Sequence, residues 1–204
     1  EFLPNAKALS ERSHLTRPEL AVLLSYAKVM LKDVLVEPGI YQDAYLAHIA
    51  RGAFPASLQV HYADALSHHR LHPQIVATQL ANEMVNNLGI TTPLRLKQAS
   101  GASWVEFARA YTAAREVLQF EVFQYQLMDD PRFSAAQQMQ WFSIMSRRLR
   151  RVTRWYLHLR TELVALDHLI PLHRQALQSV NIFLRNMHAE GSQALLAFQS
   201  GSAQ

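Results

Sequence analysis

Four histidines lie close together in the first third of the chain, where their imidazoles could meet. They are His61, His68, His69 and His72. Metal sites on helices commonly use two histidines four residues apart, which is the separation of His68 and His72. However, Pro73 follows at once, and Asp64 is the one carboxylate that could join them. We therefore favour histidines at helix ends, near the helix dipole, over a metal site.

A polar row marks one segment that is otherwise apolar on one side. Thr78, Asn82 and Asn86 are spaced four residues apart, which places them on one face of a helix. Asparagine is unfavourable inside a helix, because its side chain competes for backbone hydrogen bonds. We therefore expect the asparagine side chains of this row to have polar partners. Three interpretations stay open: a surface that docks on another domain, an internal buried polar network, or simple exposure.

The basic residues concentrate in one segment. Between Ser134 and Arg160 there are six arginines and no acidic residue, namely Arg147, Arg148, Arg150, Arg151, Arg154 and Arg160. The net charge of the whole chain is +4, so the rest of the chain carries −2. Arg147, Arg151 and Arg154 share one helical face. Three interpretations of this face stay open. It is solvated or paired with acidic residues, it docks on an acidic surface, or it binds nucleic acid with Trp155 and Tyr156 stacking on bases.

No set of residues suggests a catalytic site. Asp129 and Asp130 are adjacent, so their side chains diverge, and Pro131 follows them. They indicate the end of a helix and not a general acid and base pair. The sequence therefore predicts no catalytic, cofactor-binding or metal-binding residue in this chain.

Helix start signals occur throughout the chain. Three capping boxes each place a Ser or Thr three residues before a Glu or Gln. They pair Thr16 with Glu19, Ser103 with Glu106, and Ser134 with Gln137. Alternating apolar and polar runs of the kind that form strands are absent from the sequence. The prediction is an all-α fold, an irregular bundle of about eight helices.

Capping residues, glycines and prolines in the sequence give approximate helix bounds. Predicted helices run from Thr16 to about Val34, from Asp43 to Arg51, from Pro55 to Leu66, from Pro73 to Leu88, from Thr92 to Gly101, from Ser103 past Val117, from Ser134 to about Leu159, and from Ile170 to Ala189. We expect one helical domain over residues 1–204. The break at Asp129 to Pro131 is the one plausible boundary between two lobes, 15–128 and 134–190.

Composition narrows the class of protein. The 204 residues are 50% hydrophobic, enough for a substantial core. Charged residues make up 18%, which suggests that something else covers part of the surface. The absence of cysteine excludes disulfides and fits a cytoplasmic location. The sequence predicts neither a membrane span nor a signal peptide. Its start at Glu1 without a methionine suggests a fragment of a longer polypeptide.

Two blocks of sequence carry a resemblance to a known family. The first covers residues 15–28, LTRPELAVLLSYAK. The second starts at residues 69–71, runs through 75–91, IVATQLANEMVNNLGIT, and reaches Tyr111 and Arg115. These blocks resemble the C-terminal helical region of the large NAD-specific glutamate dehydrogenases of bacteria, with looser similarity as far as Trp155. The chain departs from the family pattern at Leu88, where the family favours a glycine, and at residues 92–93 and 99–100.

The resemblance implies a parent enzyme that oxidises L-glutamate to 2-oxoglutarate and ammonia with NAD. It also implies an upstream catalytic domain as partner and a homo-oligomer in the full-length protein. No three of the six glycines have the spacing of a dinucleotide-binding turn, so we expect the fragment alone to be inactive. Its role is then structural, and the candidate docking residues are Thr78, Asn82, Asn86, Arg147, Arg151 and Arg154. The alternative is an independent basic helical module that binds nucleic acid.

Overall fold

The computed structural model describes residue 11 and residues 14–159 and 165–179. Within these residues every regular element is a helix, which confirms the all-α prediction. The helices are α1 Arg17–Leu35, α2 Pro38–Tyr41, a 3₁₀ helix Leu46–Ala53, α3 Ala56–His61, α4 Ala63–Ser67, α5 His72–Leu88, α6 Thr92–Ser100, α7 Trp104–Val117, α8 Phe120–Asp129, α9 Ala135–Leu159 and α10 over 166–179. Eight of the described helices have seven residues or more, the number predicted.

The capping boxes start helices where the sequence predicts them. The Thr16 backbone N–H donates to Glu19 Oε2 at 2.8 Å, and the Glu19 N–H donates to Thr16 Oγ1 at 3.5 Å. The same reciprocal bonds join Ser103 with Glu106 before α7, and Ser134 with Gln137 before α9. Each box satisfies two backbone N–H groups that a bare helix end would leave unpaired. Local sequence therefore fixes the starts of three long helices.

Two predicted helices are interrupted in the structure. The segment from Pro55 to Leu66 breaks at Tyr62, which has φ −128° and ψ 27°, and so forms α3 and α4. The chain after α7 turns at Gln119, whose φ of +50° lies in the left-handed region. The next ring, Phe120, is fully buried and lies edge-on to Phe142 at 6.0 Å between centroids. Burial of this ring accounts for a turn that contains neither glycine nor proline.

Parts of the last predicted helix and of the predicted arginine run fall outside the described residues. Helix α10 begins at residue 166, earlier than the predicted start near Ile170. Its predicted continuation to Ala189 lies outside the described residues, and so does Arg160.

The core lies around α5 and α7. The predicted apolar face of α5 is buried, with Ile75 half-buried at its edge. Helix α7 packs chiefly against α9, while α1 and the 3₁₀ helix pack against α5. The fully buried side chains of this core include Val76, Leu80, Met84, Leu88, Phe107, Tyr111, Phe120 and Leu149. Burial of a side chain of this size stabilises the fold by roughly 1.5–3 kcal/mol. Helices α5 and α7 therefore lie at the centre of the described residues, with α1, the 3₁₀ helix and α9 packed on them.

Candidate functional site

Helix α5 places the predicted polar row at its boundary with α1. Thr78 and Asn86 are exposed, and Asn82 is half-buried. Thr78 Oγ1 donates to the Gln74 carbonyl at 2.6 Å, within the same helix. Asn86 Oδ1 accepts from Lys28 Nζ at 3.5 Å, which links α5 to α1. The Asn82 side chain makes no hydrogen bond with any described residue. The docking role of the row stays a prediction.

The buried polar residue of α5 is Asn87, which the sequence analysis did not single out. Its side chain is 7% exposed, Nδ2 donates to Tyr111 Oη at 3.0 Å, and Oδ1 accepts from Gln124 Nε2 at 3.4 Å. Burial, reinforced by repulsion from Glu83, raises the pKa of the Tyr111 hydroxyl, so it stays protonated. Asn87 stands three residues after the buried Met84, and this spacing is the sequence signal that could have identified it.

A charge network ties α5 to α7 and α10. Arg115 pairs with Glu83 of α5 and, at 2.7 Å, with Glu116. Arg174 of α10 pairs with Glu116 at 2.9 Å and donates to its backbone carbonyl at 2.8 Å. Burial raises the pKa of Glu83, although Arg115 opposes that shift. Burial also lowers the pKa of Arg115, but the facing carboxylates outweigh it and leave that pKa raised. The paired charges hold three helices together.

A second ion pair, also missed by the sequence analysis, anchors the 3₁₀ helix. Asp43 Oδ1 accepts from the backbone N–H groups of Tyr45 and Leu46 at 2.9 and 3.0 Å. Its other oxygen pairs with Arg109 of α7, and both side chains are about nine-tenths buried. Because Asp43 lies in the turn before the 3₁₀ helix and Arg109 is 66 residues later on α7, no local pattern of the sequence predicts this contact.

Helix α9 presents the arginine run to solvent. The five arginines of this run that the structure describes are all exposed: Arg147, Arg148, Arg150, Arg151 and Arg154. We call this surface the basic face. Arg147 Nη1 donates to Ser143 Oγ at 3.2 Å, but none of the five makes an ion pair with a described residue. Trp155 beside them is 50% exposed, whereas Tyr156 is buried at 1%. The basic face is therefore free to meet an acidic or phosphate-bearing partner, with Trp155 as its aromatic neighbour.

Helix α1 exposes apolar side chains along most of its length. Only Leu31 and Leu35 of this helix are buried. The side chains of Leu20, Val22, Leu24, Val29, Met30 and Val34 are 42–56% exposed, and we call them the α1 apolar surface. Val22 and Val29, with Tyr26 between them, line an open cleft of about 550 Å³. The described residues therefore leave the α1 apolar surface uncovered. A cluster of exposed apolar side chains of this kind is typical of a surface that another protein or domain contacts.

The histidines divide into two groups. His61 ends α3, and its Nδ1 lies 2.8 Å from the Ser57 carbonyl. His68, His69 and His72 instead meet His48 of the 3₁₀ helix around one cleft. His68 follows α4, but His72 is the first residue of α5, where the dipole disfavours a positive charge. Among the described residues no three His, Asp or Glu side chains are arranged to hold a metal ion.

The acidic pair at the end of α8, Asp129 and Asp130, contacts one arginine among the described residues. Arg132 donates to both oxygens of Asp130, at 2.6 Å for the closest pair. These hydrogen bonds lower the pKa of Asp130 to about 2.

None of the described helices is long and apolar enough to cross a membrane.

The comparisons with known proteins agree on one family. Residues 12–198 match the family described as glutamate dehydrogenase, C-terminal. Three curated relatives are each named NAD-specific glutamate dehydrogenase. The protein from Pseudomonas aeruginosa is 40% identical over 171 residues, which cover 78% of this chain and 10% of that protein. The protein from Halomonas elongata is 35% identical over 199 residues, covering 93% and 12%.

The third relative, from Mycobacterium tuberculosis, is 34% identical over 118 residues, which cover 55% of this chain and 7% of that protein. This chain therefore spans about a tenth of the length of the relatives it matches. No solved structure matches it.

Proposed function

This chain belongs to the family of glutamate dehydrogenase C-terminal regions, and we propose that it is the C-terminal helical region of a large NAD-dependent glutamate dehydrogenase. In this proposal the parent polypeptide oxidises L-glutamate to 2-oxoglutarate and ammonia, with NAD as cofactor, in the cytoplasm. The names of the three relatives support this activity, and their much greater length supports a catalytic domain elsewhere in the parent.

Within the parent, this region is structural and not catalytic. Dinucleotide-binding domains need a strand followed by a Gly-rich turn, and the described residues contain no strand. Buried and half-buried charges among the described residues pair with one another, as Arg115 does with Glu83 and Arg109 does with Asp43. The first pair joins α7 to α5, and the second joins α7 to the turn before the 3₁₀ helix. We therefore expect the isolated chain neither to bind NAD nor to produce NADH from glutamate.

The α1 apolar surface is the observation that carries the docking role. Its six large side chains are each about half exposed, and Val22 and Val29, seven residues apart, stand on the same side of the helix. We propose that the upstream catalytic domain of the same polypeptide covers this surface, because apolar area removed from water stabilises association by about 25 cal/mol per Å². The basic face and the row of Thr78, Asn82 and Asn86 are further contacts in this proposal. As a separate part of this proposal, the full-length protein is a homo-oligomer.

A pair of substitutions tests the docking role. Val22→Ser with Val29→Ser removes two exposed apolar side chains from one side of α1. The isolated chain should keep its denaturation midpoint, because exposed positions usually change stability by no more than about 0.5 kcal/mol. The full-length enzyme should lose thermal stability or glutamate oxidation. The matched control is Val60→Ser on α3, which removes a valine side chain that is 77% exposed elsewhere on the surface.

Two results would overturn the proposal. One is a full-length double variant that matches the control variant in activity and thermal stability. The other is NADH production from glutamate by the isolated chain above a blank reaction.

A further inference from the structure

A cleft beside the start of α5 gathers cationic and imidazole groups without an acidic one. The cleft lies between the 3₁₀ helix, the end of α4 and the start of α5, and its volume is about 380 Å³. Its basic lining residues are His48, Arg51, His68, His69 and His72. None of the described residues that line it is Asp or Glu. Binding sites for small molecules begin at roughly this size, about 300 Å³.

Two of these side chains have donors to offer. Arg51 is half-buried, and its guanidinium makes neither an ion pair nor a hydrogen bond with any described residue. His69 Nδ1 accepts from the Leu71 backbone N–H at 3.1 Å. In the neutral ring the proton then sits on Nε2, which leaves an N–H donor for another partner. The guanidinium has five such donors and suits an oxyanion.

The other histidines are partly engaged. His72 Nε2 lies 3.3 Å from the Ala47 carbonyl, so this ring is fixed at the cleft wall. His68 Nδ1 lies 2.9 Å from the backbone carbonyl of Asp64 and 3.5 Å from its carboxylate. A charge on His68 is therefore balanced by that carboxylate. Arg51 is the permanent charge of the cleft that no described carboxylate balances.

The start of α5 adds a favourable potential. This 17-residue helix has no side-chain cap, and its first turn contains no acidic residue. The N-terminus of a helix carries about half a positive charge and attracts anions. His72 and Pro73, the first two residues of α5, line the cleft. The dipole and Arg51 therefore act on the same space.

The rest of the lining is mostly apolar, with Gln42 and Ser67 as its polar members. Leu66 and Ala50 are buried and line the cleft together with Ala47 and Tyr41. We propose that this cleft binds a small dianion, a dicarboxylate or a phosphate, with Arg51 as its main charged contact and His69 as a second donor. The apolar wall suits the short carbon chain of a dicarboxylate. This site is distinct from the docking surfaces and does not depend on the reaction of the parent.

Calorimetric titration of the 204-residue chain tests the site. The probes are succinate, inorganic phosphate and the neutral diamide of succinate, at constant ionic strength. At least one dianion should bind saturably with a Kd below about 1 mM, and the diamide should not bind. The dianion that binds more tightly shows whether the cleft prefers a dicarboxylate or a phosphate. Equal binding of diamide and succinate, or the absence of saturable binding by both dianions, would overturn the proposal.

Arg51→Gln locates the binding. Loss of a charged hydrogen bond should weaken the dianion about tenfold or more. His69→Gln should weaken it less, and this second variant keeps the site testable if Arg51→Gln does not fold. Arg70→Gln is the control, since it removes the same charge from an exposed side chain that does not line the cleft. Equal affinity losses in Arg51→Gln and Arg70→Gln would show nonspecific attraction and sink the proposed site.

Discussion

The side-chain amide of Asn87 donates a hydrogen bond to the hydroxyl of Tyr111 across 3.0 Å, in the buried space between α5 and α7. Asn87 is 7% exposed and Tyr111 is fully buried. Gln124 of α8 donates to the same amide at 3.4 Å, so the bond joins three helices. A buried polar group without a partner costs more than the bond itself contributes. The two side chains are therefore expected to depend on each other.

Substitution at this pair tests that dependence. Asn87→Ala should destabilise the isolated chain by about 1–3 kcal/mol, because the Tyr111 hydroxyl loses its buried partner. Tyr111→Phe should cost stability too, and the double variant should lose less than the sum of the two. Urea midpoints at fixed pH measure each loss. The control is Asn86→Ala on the exposed side of α5. Strictly additive losses at Asn87 and Tyr111 would contradict the coupling.

The contrast between Asn86 and Asn87 shows what the sequence could predict. The period of the apolar residues located α5 and its buried face, because that period depends on local geometry alone. The polar row was predicted from spacing, yet the buried hydrogen bond belongs to the neighbouring residue. Its partner Tyr111 lies 24 residues later on a separate helix. Only packing brings the two together.

The capping box of α1 gives a second prediction. Thr16→Ala should cost about 0.5–2 kcal/mol, because the first turn loses the oxygen that accepts the Glu19 N–H. Glu19→Ala should cost less, and the two losses should be coupled. Ser103→Ala removes the equivalent group before α7 and should cost a similar amount. Unchanged denaturant midpoints in both α1 variants would show that the observed box does not stabilise the helix.

The Asp130 carboxyl gives a prediction on pH. Its pKa is lowered from 3.8 to about 2 by hydrogen bonds from Arg132. A lowered pKa means that the contribution of Asp130 to stability is present above pH 3.8 and is lost as the pH falls through about 2. Arg132→Gln should raise the pKa of Asp130 toward 3.8, measured by carbon NMR of the carboxyl group. Arg148→Gln should not move it, and an equal shift in both variants would contradict a direct contact.

The sequence predicted the basic face as a candidate docking surface, but it did not predict the α1 apolar surface. The arginine spacing predicted a basic face on α9, and the structure exposes those side chains. The exposure of Leu24 and Met30 was not predicted, because a stripe of apolar residues looks the same whether the core or another domain covers it. The cleft with Arg51 also escaped the sequence analysis. His48 joins the cleft from the 3₁₀ helix, which the sequence analysis did not connect with His68, His69 and His72.

The basic face allows a test that compares the isolated chain with the full-length protein. Arg147→Gln, Arg151→Gln and Arg154→Gln together remove three charges from one side of α9. The isolated chain should keep its fold, because these side chains are exposed and pair with no described acid. The full-length enzyme should lose activity or assembly if the face docks on the upstream domain. A control triple variant removes the same charge from three other exposed arginines that pair with no described acid, Arg17, Arg70 and Arg95.

The same triple variant decides between docking and nucleic-acid binding. If the face binds nucleic acid, the wild-type chain should bind oligonucleotides with an affinity that falls steeply with salt. The slope of that dependence should then drop by up to about three in the variant, nearly one for each phosphate that an arginine no longer neutralises. We expect instead an affinity no tighter than the nonspecific range of about 10⁻⁴–10⁻⁶ M at physiological salt. Fluorescence anisotropy over a range of salt concentrations measures both quantities. A nanomolar, sequence-selective complex would show that this face serves nucleic acid and not the parent enzyme.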